Sequence, residues 1–417
     1  MAEKAGKSED LSREVAGDNR KDEKPGKISR TVKVLGWVSL FTDASSEMIY
    51  PLLPVFLTSV LGASAAFLGV IEGIAEGTAS ILKGFSGYIS DRLAKRKALI
   101  VAGYGLSAVT KPFFAAADAV WQVLAVRLVD RVGKGIRTAP RDALISETTS
   151  AASRGKAYGF HRSMDTLGAV IGPAIAFLMM WLLRGQGNSA YRWVFLAAFI
   201  PGMIAVVLLV TTLREKKFEG KAKFPGLRLA GFDRNYKMLL LVVAVFTLGN
   251  SSDAFLLLRA QNLGMKAYLI PLAWMVFNIV YAGTSTPGGM ISDRIGRKKT
   301  LLIGFPLYAL IYIGFGFAHR LVYIWLLFAV YGLFYGLTQG CLSAYVADLA
   351  PADVKGTAFG VYHMTVGVFS LFASVIFGVI WSSSKASGPS VAFFFGGALA
   401  LVAALLLWRF CEECAVR

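Results

Sequence analysis

The sequence predicts an all-α membrane protein with twelve transmembrane helices in two pseudo-symmetric bundles of six. Three observations support this class. The 417 residues are 55% hydrophobic and only 17% charged, whereas soluble proteins carry about 25% charged residues. The apolar residues form blocks long enough to cross ~30 Å of hydrocarbon as helices. Matching motifs recur in both halves of the chain, which indicates a duplicated six-helix unit.

The first half begins with a polar segment. Residues 1–30 hold eight basic and seven acidic residues without an apolar core. They therefore predict a disordered cytoplasmic tail and no cleavable signal peptide. Residues 31–213 form the predicted N-terminal bundle. Its spans are placed at 33–60, 65–89, 98–117, 120–147, 157–183 and 192–213.

The second half follows a basic linker. Residues 214–237 hold eight basic and three acidic residues and divide the chain into two sets of six spans. Residues 238–410 form the predicted C-terminal bundle, and residues 411–417 a short cytoplasmic tail. The spans of this bundle are placed at 238–262, 267–290, 300–318, 321–347, 357–382 and 390–410.

The net charge of +18 follows from membrane topology. Basic residues concentrate in the short loops of one side, the positive-inside pattern, so we expect no nucleic-acid partner. The same pattern predicts both termini in the cytoplasm and a plasma-membrane protein, such as one of a bacterial inner membrane. Cys411 and Cys414 lack a matching His or Cys pair, so we expect no metal site and no cofactor.

Two loop segments repeat each other. Residues 87–97 read GYISDRLAKRK and residues 289–299 read GMISDRIGRKK, which align Asp91 with Asp293. Ser45-Ser46-Glu47 in the first span is matched by Ser251-Ser252-Asp253 in the seventh. Parallel halves of this kind can rock about a site at the bilayer midplane, the design of alternating access.

The repeated loop resembles the signature Gly-x-x-x-Asp-Arg-x-Gly-Arg-Lys of the major facilitator superfamily. The resemblance covers essentially the whole chain after residue 30, and it implies a secondary transporter, which is not an enzyme. In the family these loop residues help to latch the two halves together. A cytoplasmic gate is therefore expected from Asp91, Arg92, Glu147, Asp293, Arg294 and Asp348. We favour Arg137, Arg141 and Asp142 as further members.

Two shorter motifs point to the proton-coupled drug antiporter branch. Arg131-Val-Gly-Lys-Gly135 resembles the family's Arg-x-x-x-Gly element, with Lys134 where glutamine is usual. Gly168-Ala-Val-Ile-Gly172-Pro173 resembles its Gly-x-x-x-Gly-Pro antiporter motif, although Ala176-Phe177 replaces the Gly-Gly that should follow. The alternative is that Gly-Pro only packs and kinks the helix.

Ionisable residues within the spans are costly, so each predicts a function or a partner. Pairs four residues apart share one helix face, and we expect the basic group of the fourth span to face the acidic pairs of the first two spans across a polar cavity. Carboxylates close together in a low dielectric cannot both ionise easily, which suits proton exchange. The predicted proton-coupling residues are Asp43, Glu47, Glu72, Glu76 and Asp165. The alternative is a permanently paired network that fixes helix register.

The predicted solute-binding residues come from both halves. The first half contributes cationic groups and a histidine, and the second mainly neutral polar and aromatic groups that suit an amphipathic solute. These residues are Arg127, Arg131, His161, Arg162, Asn250, Asp253, Trp274, Asn278, Tyr331, Tyr335 and Gln339.

Three functions remain open at this point. The first is a proton-coupled exporter of a small organic solute, working as a monomer in the lipid bilayer. The second is a proton- or sodium-coupled importer or exchanger of an organic anion, which the Arg127 and Arg131 cluster favours. The third is a non-transporting membrane sensor. An ATP-driven pump is disfavoured because the sequence has no Gly-x-x-x-x-Gly-Lys-Ser/Thr loop.

Overall fold

The computed structural model describes residues 28–93, 96–149, 153–213, 232–350, 355–384 and 386–413, and this part of the chain is almost entirely helical. The predicted tails and linker therefore lie largely outside the described residues, in 1–27, 214–231 and 414–417. The helices of the first half are α1 (Arg30–Ile49), α2 (Ala65–Leu93), α3 (Arg96–Ala116), α4 (Val120–Glu147), α5 (Arg154–Leu182) and α6 (Ser189–Ala197 with Phe199–Thr212).

The second half repeats this order. Its helices are α7 (Arg234–Gly249 with Ala254–Asn262), α8 (Ile270–Ile295), α9 (Arg297–Phe317), α10 (Leu321–Leu349), α11 (Lys355–Ser382) and α12 (Gly388–Phe410). Helix α7 starts inside the segment that we predicted as linker, because Asp233 caps it by accepting a hydrogen bond from the Tyr236 amide.

Ten of these helical segments are long and apolar enough to cross a membrane, counted over the described residues. Helices α1 and α4 fall below that threshold because they carry the charged residues of the first half. Both are packed among other helices: α1 contacts α5 and α6, and α4 contacts α2 and α3. Large apolar side chains on the outside of the bundle, such as Leu310 and Phe317, are exposed. The chain is an integral membrane protein.

Three helices are interrupted where continuous spans were predicted; α6 breaks only at Ala198, whereas the breaks in α1 and α7 are longer. Helix α1 ends at Ile49, and the chain continues through a short helix, Leu53–Val55, and a π-helical turn, Phe56–Val60. Helix α7 breaks between Gly249 and Ala254, where the sequence Asn-Ser-Ser-Asp is polar. Irregular backbone at membrane depth is stable where it lines a cavity, so these breaks locate a candidate site.

The two halves are held together at one end of the molecule. The π-helical turn after α1 meets the second piece of α7, where Thr58 and Ser59 hydrogen bond to Gln261. Around this junction Leu52 and Phe56 belong to an apolar core that continues into the second half. We call this the joined end and the opposite end, where the described chain begins and finishes, the terminal end.

At the terminal end the first half has an apolar core of its own. Val32 and Leu35 of α1 pack there with Ile100, Leu144 and Leu209, separately from the core shared by the two halves. The apolar core shared by the two halves thus surrounds the joined end, and α2 of the first half also packs on α11 of the second along its length, from Gly69 against Ser374 to Gly84 near Gly360.

Helix α5 packs closely on α1 through the Gly-x-x-x-Gly-Pro motif. A Cβ atom added to Gly168 would lie 2.4 Å from the Leu40 carbonyl oxygen. One added to Gly172 would lie 2.5 Å from the Ala44 oxygen and 2.8 Å from Glu47 Cβ. The motif thus has a packing role, and it sets the position of the α1 segment that carries the acidic pair.

We expect the substitution Gly172→Ala to push α1 away from α5. Overpacking of this kind costs about 1–3 kcal/mol, so the purified protein should unfold at a lower temperature. Gly159→Ala is the matched control, because it lies on the same helix and an added Cβ would have nothing within 4 Å. Equal melting temperatures for the two variants would contradict close α1–α5 packing.

Candidate functional site

A cavity of about 420 Å³ lies between the two halves. Its size falls within the range of small-molecule sites. Helices α1, α2, α3 and α4 form one wall, and α7, α8, α9, α10 and α11 form the other. The broken segment of α7 lines it from Asn250 to Asp253. The helix interruption and the cavity therefore coincide.

The deepest ion pair joins α4 to α2. Arg127 donates from Nε to Glu72 Oε1 at 3.1 Å and from Nη2 to Glu72 Oε2 at 3.0 Å. Both side chains are buried, with 4% and 1% of their surface exposed. Two parallel hydrogen bonds of this type fix both position and orientation. This pair stands behind the cavity wall, since neither residue lines the cavity.

A second pair reaches the cavity surface. Arg131 Nη1 lies 3.3 Å from Glu76 Oε1, and Arg127 Nη2 lies 3.9 Å from the same oxygen. The Glu76 side chain is 38% exposed, so it faces both its basic partners and the cavity. The predicted opposition of basic α4 residues and acidic α2 residues is thus direct contact.

One buried carboxylate, Asp130, was not among the predicted site residues, and neither was its partner Lys111. Asp130 lies on α4 between the two arginines, and its Oδ1 is 3.1 Å from Lys111 Nζ on α3. Both side chains are buried, and Lys111 also donates to Ser46 Oγ at 3.3 Å. Because Asp130 follows Arg127 by three residues, helical spacing alone could have drawn attention to it.

The acidic pair of α1 is held differently. Glu47 Oε2 accepts a 2.7 Å hydrogen bond from Trp274 Nε1 of α8, which links the two halves across the cavity. Asp43 lines the same cavity one turn away. In the described part of the chain neither carboxylate lies within 4.0 Å of a basic group, unlike those of Glu72, Glu76 and Asp130.

The opposite wall holds one acidic side chain in an aromatic setting. Asp253 Oδ1 accepts a 2.6 Å hydrogen bond from Tyr331 OH, and Tyr331 in turn approaches Tyr335 OH at 3.4 Å. Its carboxylate makes no capping hydrogen bond to the second piece of α7 that follows it. The aromatic side chains that share this cavity wall are Phe246, Trp274, Phe305, Tyr335 and Tyr362.

A second hydrogen bond between the halves involves the broken segment of α7. Ser252 Oγ donates to Glu72 Oε2 at 3.3 Å, and the same hydroxyl accepts from the Ala254 amide at 3.3 Å. The start of the second α7 piece is therefore tied to the buried Glu72–Arg127 pair of the first half.

Two cationic residues of α4 line the cavity beyond Arg131. The Lys134 side chain is exposed there and forms no hydrogen bond or ion pair within the described residues. Arg137 donates to Ser107 Oγ at 2.8 Å and lies 4.3 Å from the centre of the Tyr104 ring. Arg137 was predicted as a member of the cytoplasmic gate, and the structure places it at the cavity, held by a serine and an aromatic partner within its own bundle.

A separate polar group joins α5 and α8 outside the cavity lining. Arg162 hydrogen bonds to Tyr281 OH between the halves. His161 Nδ1 lies 3.7 Å from Asp165 Oδ2 within α5. These residues were predicted to bind solute or exchange protons; the structure places Arg162 at a contact between the halves and pairs His161 with Asp165 within α5.

The structure thus divides the predicted site residues. Those that line the cavity are Asp43, Glu47, Glu76, Arg131, Asn250, Asp253, Trp274, Tyr335 and Gln339. Those outside its lining are Glu72, Arg127, His161, Arg162, Asp165, Asn278 and Tyr331. Tyr331 still acts on the cavity through Asp253, and Asn278 donates to the Trp274 carbonyl oxygen at 3.1 Å.

The predicted gate residues form ion pairs within each half. Glu147 lies 2.5 Å from Arg96 in the first half. In the second half Arg297 lies 2.6 Å from Asp293 and 3.4 Å from Asp348. These pairs join neighbouring helices of one bundle and not the two bundles, whereas the Arg294 side chain is exposed. The side chains of Asp91 and Arg92 lie outside the described residues.

The described residues contain no cluster of three or more His, Cys, Asp or Glu side chains arranged to hold a metal ion. Cys411 is buried there as a free thiol, and Cys414 lies outside the described part.

Comparison with known proteins identifies a family and several relatives of this chain. The model of the Major Facilitator Superfamily matches residues 35–374 and 238–413. An uncharacterised MFS-type transporter of Methanocaldococcus jannaschii is 36% identical over 405 residues, which are 95% of this chain and 99% of the relative. A probable 4-methylmuconolactone transporter of Cupriavidus pinatubonensis is 26% identical over 281 residues, covering 64% of this chain and 63% of the relative.

Solved structures share the fold. The crystal structure of a D-xylose–proton symporter matches with a TM-score of 0.75 at 17% identity, covering 93% of this chain and 98% of that chain. The predicted fold class is confirmed. Relatives and structural neighbours are membrane transporters, which are not enzymes. This chain belongs to the major facilitator superfamily and is a membrane transporter of that superfamily.

Proposed function

We propose that this protein is a proton-coupled secondary transporter that exports a small organic solute by alternating access. The observation that carries the proposal is the hydrogen bond between Glu47 and Trp274, which places a cavity carboxylate without a basic partner at the contact between the halves. A charge change on Glu47 therefore acts both on the solute cavity and on the contact between the bundles.

The ion pairs distinguish the carboxylates that are held in their charged form from those that can exchange a proton. Glu72, Glu76 and Asp130 each have a basic partner at 3.3 Å or closer, and such partners hold a carboxylate in its charged form. Asp43 and Glu47 face the cavity without one. We therefore assign proton exchange to these two residues and a fixed electrostatic role to the other three.

Protonation of Glu47 weakens the connection between the halves. Hydrogen bonds to a charged group contribute about 1.5–3 kcal/mol, and neutral ones about 0.5–1.5 kcal/mol. The difference between a hydrogen bond to a charged and to a neutral group is therefore about 1 kcal/mol, which changes the ratio of two conformations several-fold. Because this hydrogen bond joins helices of different bundles, the relative rocking of the bundles is the motion that the change would bias.

Several features support the finer assignments. The basic loops predict that the terminal end is cytoplasmic. Export rests on the Gly168–Pro173 motif, which packs against the helix of Asp43 and Glu47. A relative named as a probable transporter of 4-methylmuconolactone supports a small organic solute. We propose a monomer in the bacterial inner membrane, with both termini in the cytoplasm and no cofactor.

An organic anion as the solute receives less support from the geometry. Arg127 and Arg131, which favoured it, are each paired with a glutamate. Their charges are neutralised within the protein, so they do not provide a free anion site.

We expect Glu47→Gln to uncouple transport from the proton gradient. In proteoliposomes, the solute that most stabilises the wild-type protein in a thermal-shift panel should still exchange at equilibrium. Accumulation driven by an imposed pH gradient should fall at least tenfold. Asp118→Asn, an exposed carboxylate outside the cavity, is the control and should behave as wild type. Full gradient-driven accumulation by the Gln variant would remove Glu47 from the mechanism.

The fixed role of Glu72 leads to a separate expectation. Glu72→Gln should destabilise the protein by about 3–5 kcal/mol, because it removes the bidentate partner of the buried Arg127 and leaves only Glu76 at 3.9 Å and Asp130 at 4.0 Å. The double variant Glu72→Gln/Arg127→Gln should recover much of this loss. Thermal unfolding in detergent measures both, with Asp118→Asn as the control for an exposed pair, worth below about 1 kcal/mol. A single variant as stable as wild type would show that the pair does not fix α2 against α4.

A further inference from the structure

The two cavity walls differ in the charge that they leave without a partner. On the first-half wall, Arg131 contacts Glu76 and Asp130 contacts Lys111. Lys134 is the cavity-lining lysine of α4, and the structure gives its ammonium group no ion pair within the described residues. On the second-half wall, Asp253 is the acidic residue among the described lining residues, and its hydrogen-bond partner is the neutral hydroxyl of Tyr331.

These charges are opposite in sign and lie on opposite walls of one cavity. Lys134 and Arg137 are cavity cations without an acidic partner in the described residues, and either could pair with an anionic group, whereas Asp253 would pair with a cationic one. A solute that carries a negative and a positive group would pair with both walls of the cavity, and it would thereby connect the two bundles. Asp43 and Glu47 are the other cavity carboxylates without basic partners, and the proposed function assigns them to the proton.

The wall around Asp253 adds an aromatic requirement. Trp274, Tyr335, Phe246 and Tyr362 line the cavity on the same side. Aromatic faces attract ammonium groups and also bury apolar ring surface. The cavity volume of 420 Å³ accommodates a compact aromatic molecule.

We infer that the solute is amphoteric: an aromatic or otherwise unsaturated organic zwitterion whose ammonium group binds at Asp253 and whose carboxylate binds at Lys134. This assignment rests on the proposed transport function and names the class of its solute. It gives Lys134, which stands where the family's motif usually has glutamine, a role in specificity.

Matched probes test the assignment on the purified full-length protein. Phenylalanine and tryptophan serve as zwitterions, their methyl esters as cations and their N-acetyl derivatives as anions. We expect a zwitterion to raise the melting temperature, and each blocked derivative to bind at least tenfold more weakly. If no zwitterion stabilises the protein, or if esters or N-acetyl derivatives bind as well as their parents, the inference is overturned.

Two variants assign the ends of the solute. Asp253→Asn should weaken binding of the zwitterion and of the ester and leave binding of the N-acetyl derivative unchanged. Lys134→Gln should weaken binding of the zwitterion and of the N-acetyl derivative and leave binding of the ester unchanged. Asp253→Glu keeps the charge and should retain binding of the zwitterion, which separates a charge effect from misfolding. Equal losses for all three probes in both charge-removing variants would contradict a two-ended site.

A pH-sensitive dye inside proteoliposomes separates this inference from the proposed function. Proton movement driven by the esters but not by the zwitterions would leave proton-coupled transport standing and overturn the amphoteric solute. Zwitterion binding with the expected variant pattern, but without proton movement, would support the solute class and contradict proton coupling.

Discussion

The bidentate pair between Arg127 and Glu72 is the interaction on which the rest of this structure depends. Helix α4 carries charges at a depth where each isolated one costs about 3 kcal/mol or more, and it is too polar to qualify as a span by composition. Pairing with α2 and α3 makes its insertion feasible. Because Glu72 also accepts from Ser252, the same pair anchors the broken segment of α7 in the other half.

This fixed network leaves a small number of groups able to respond to a ligand or a proton. Carboxylates with basic partners stabilise the first bundle, whereas Asp43 and Glu47 remain at the cavity surface. Glu47 differs from Asp43 in its hydrogen bond to Trp274, which makes it the residue that can communicate between cavity and interface. The close packing of α5 on α1 at Gly172 sets the position of this residue, so an element read as an antiporter motif supports the site sterically.

The sequence was sufficient for the fold because span length, loop charge and internal duplication are properties of the chain order itself. It also predicted that the α2 and α4 charges face each other, since spacing of four residues fixes a helix face. It did not reveal which charges are paired: Arg127 and Arg131 were predicted to bind solute, and contacts between distant helices pair each of them with a glutamate. Asp130 was overlooked although its spacing pointed to it. The break in α7 depends on tertiary surroundings that the local sequence does not specify.

The central claim is that Glu47 carries the proton that drives export, so that solute binding and protonation of Glu47 exclude each other, and proton release on binding tests it most directly. Purified protein in weakly buffered detergent, with a pH indicator, is mixed with the solute that most stabilises it. The account predicts that binding releases protons from the wild type and that Glu47→Gln binds the solute with little or no release. Equal proton release from both proteins would contradict the account.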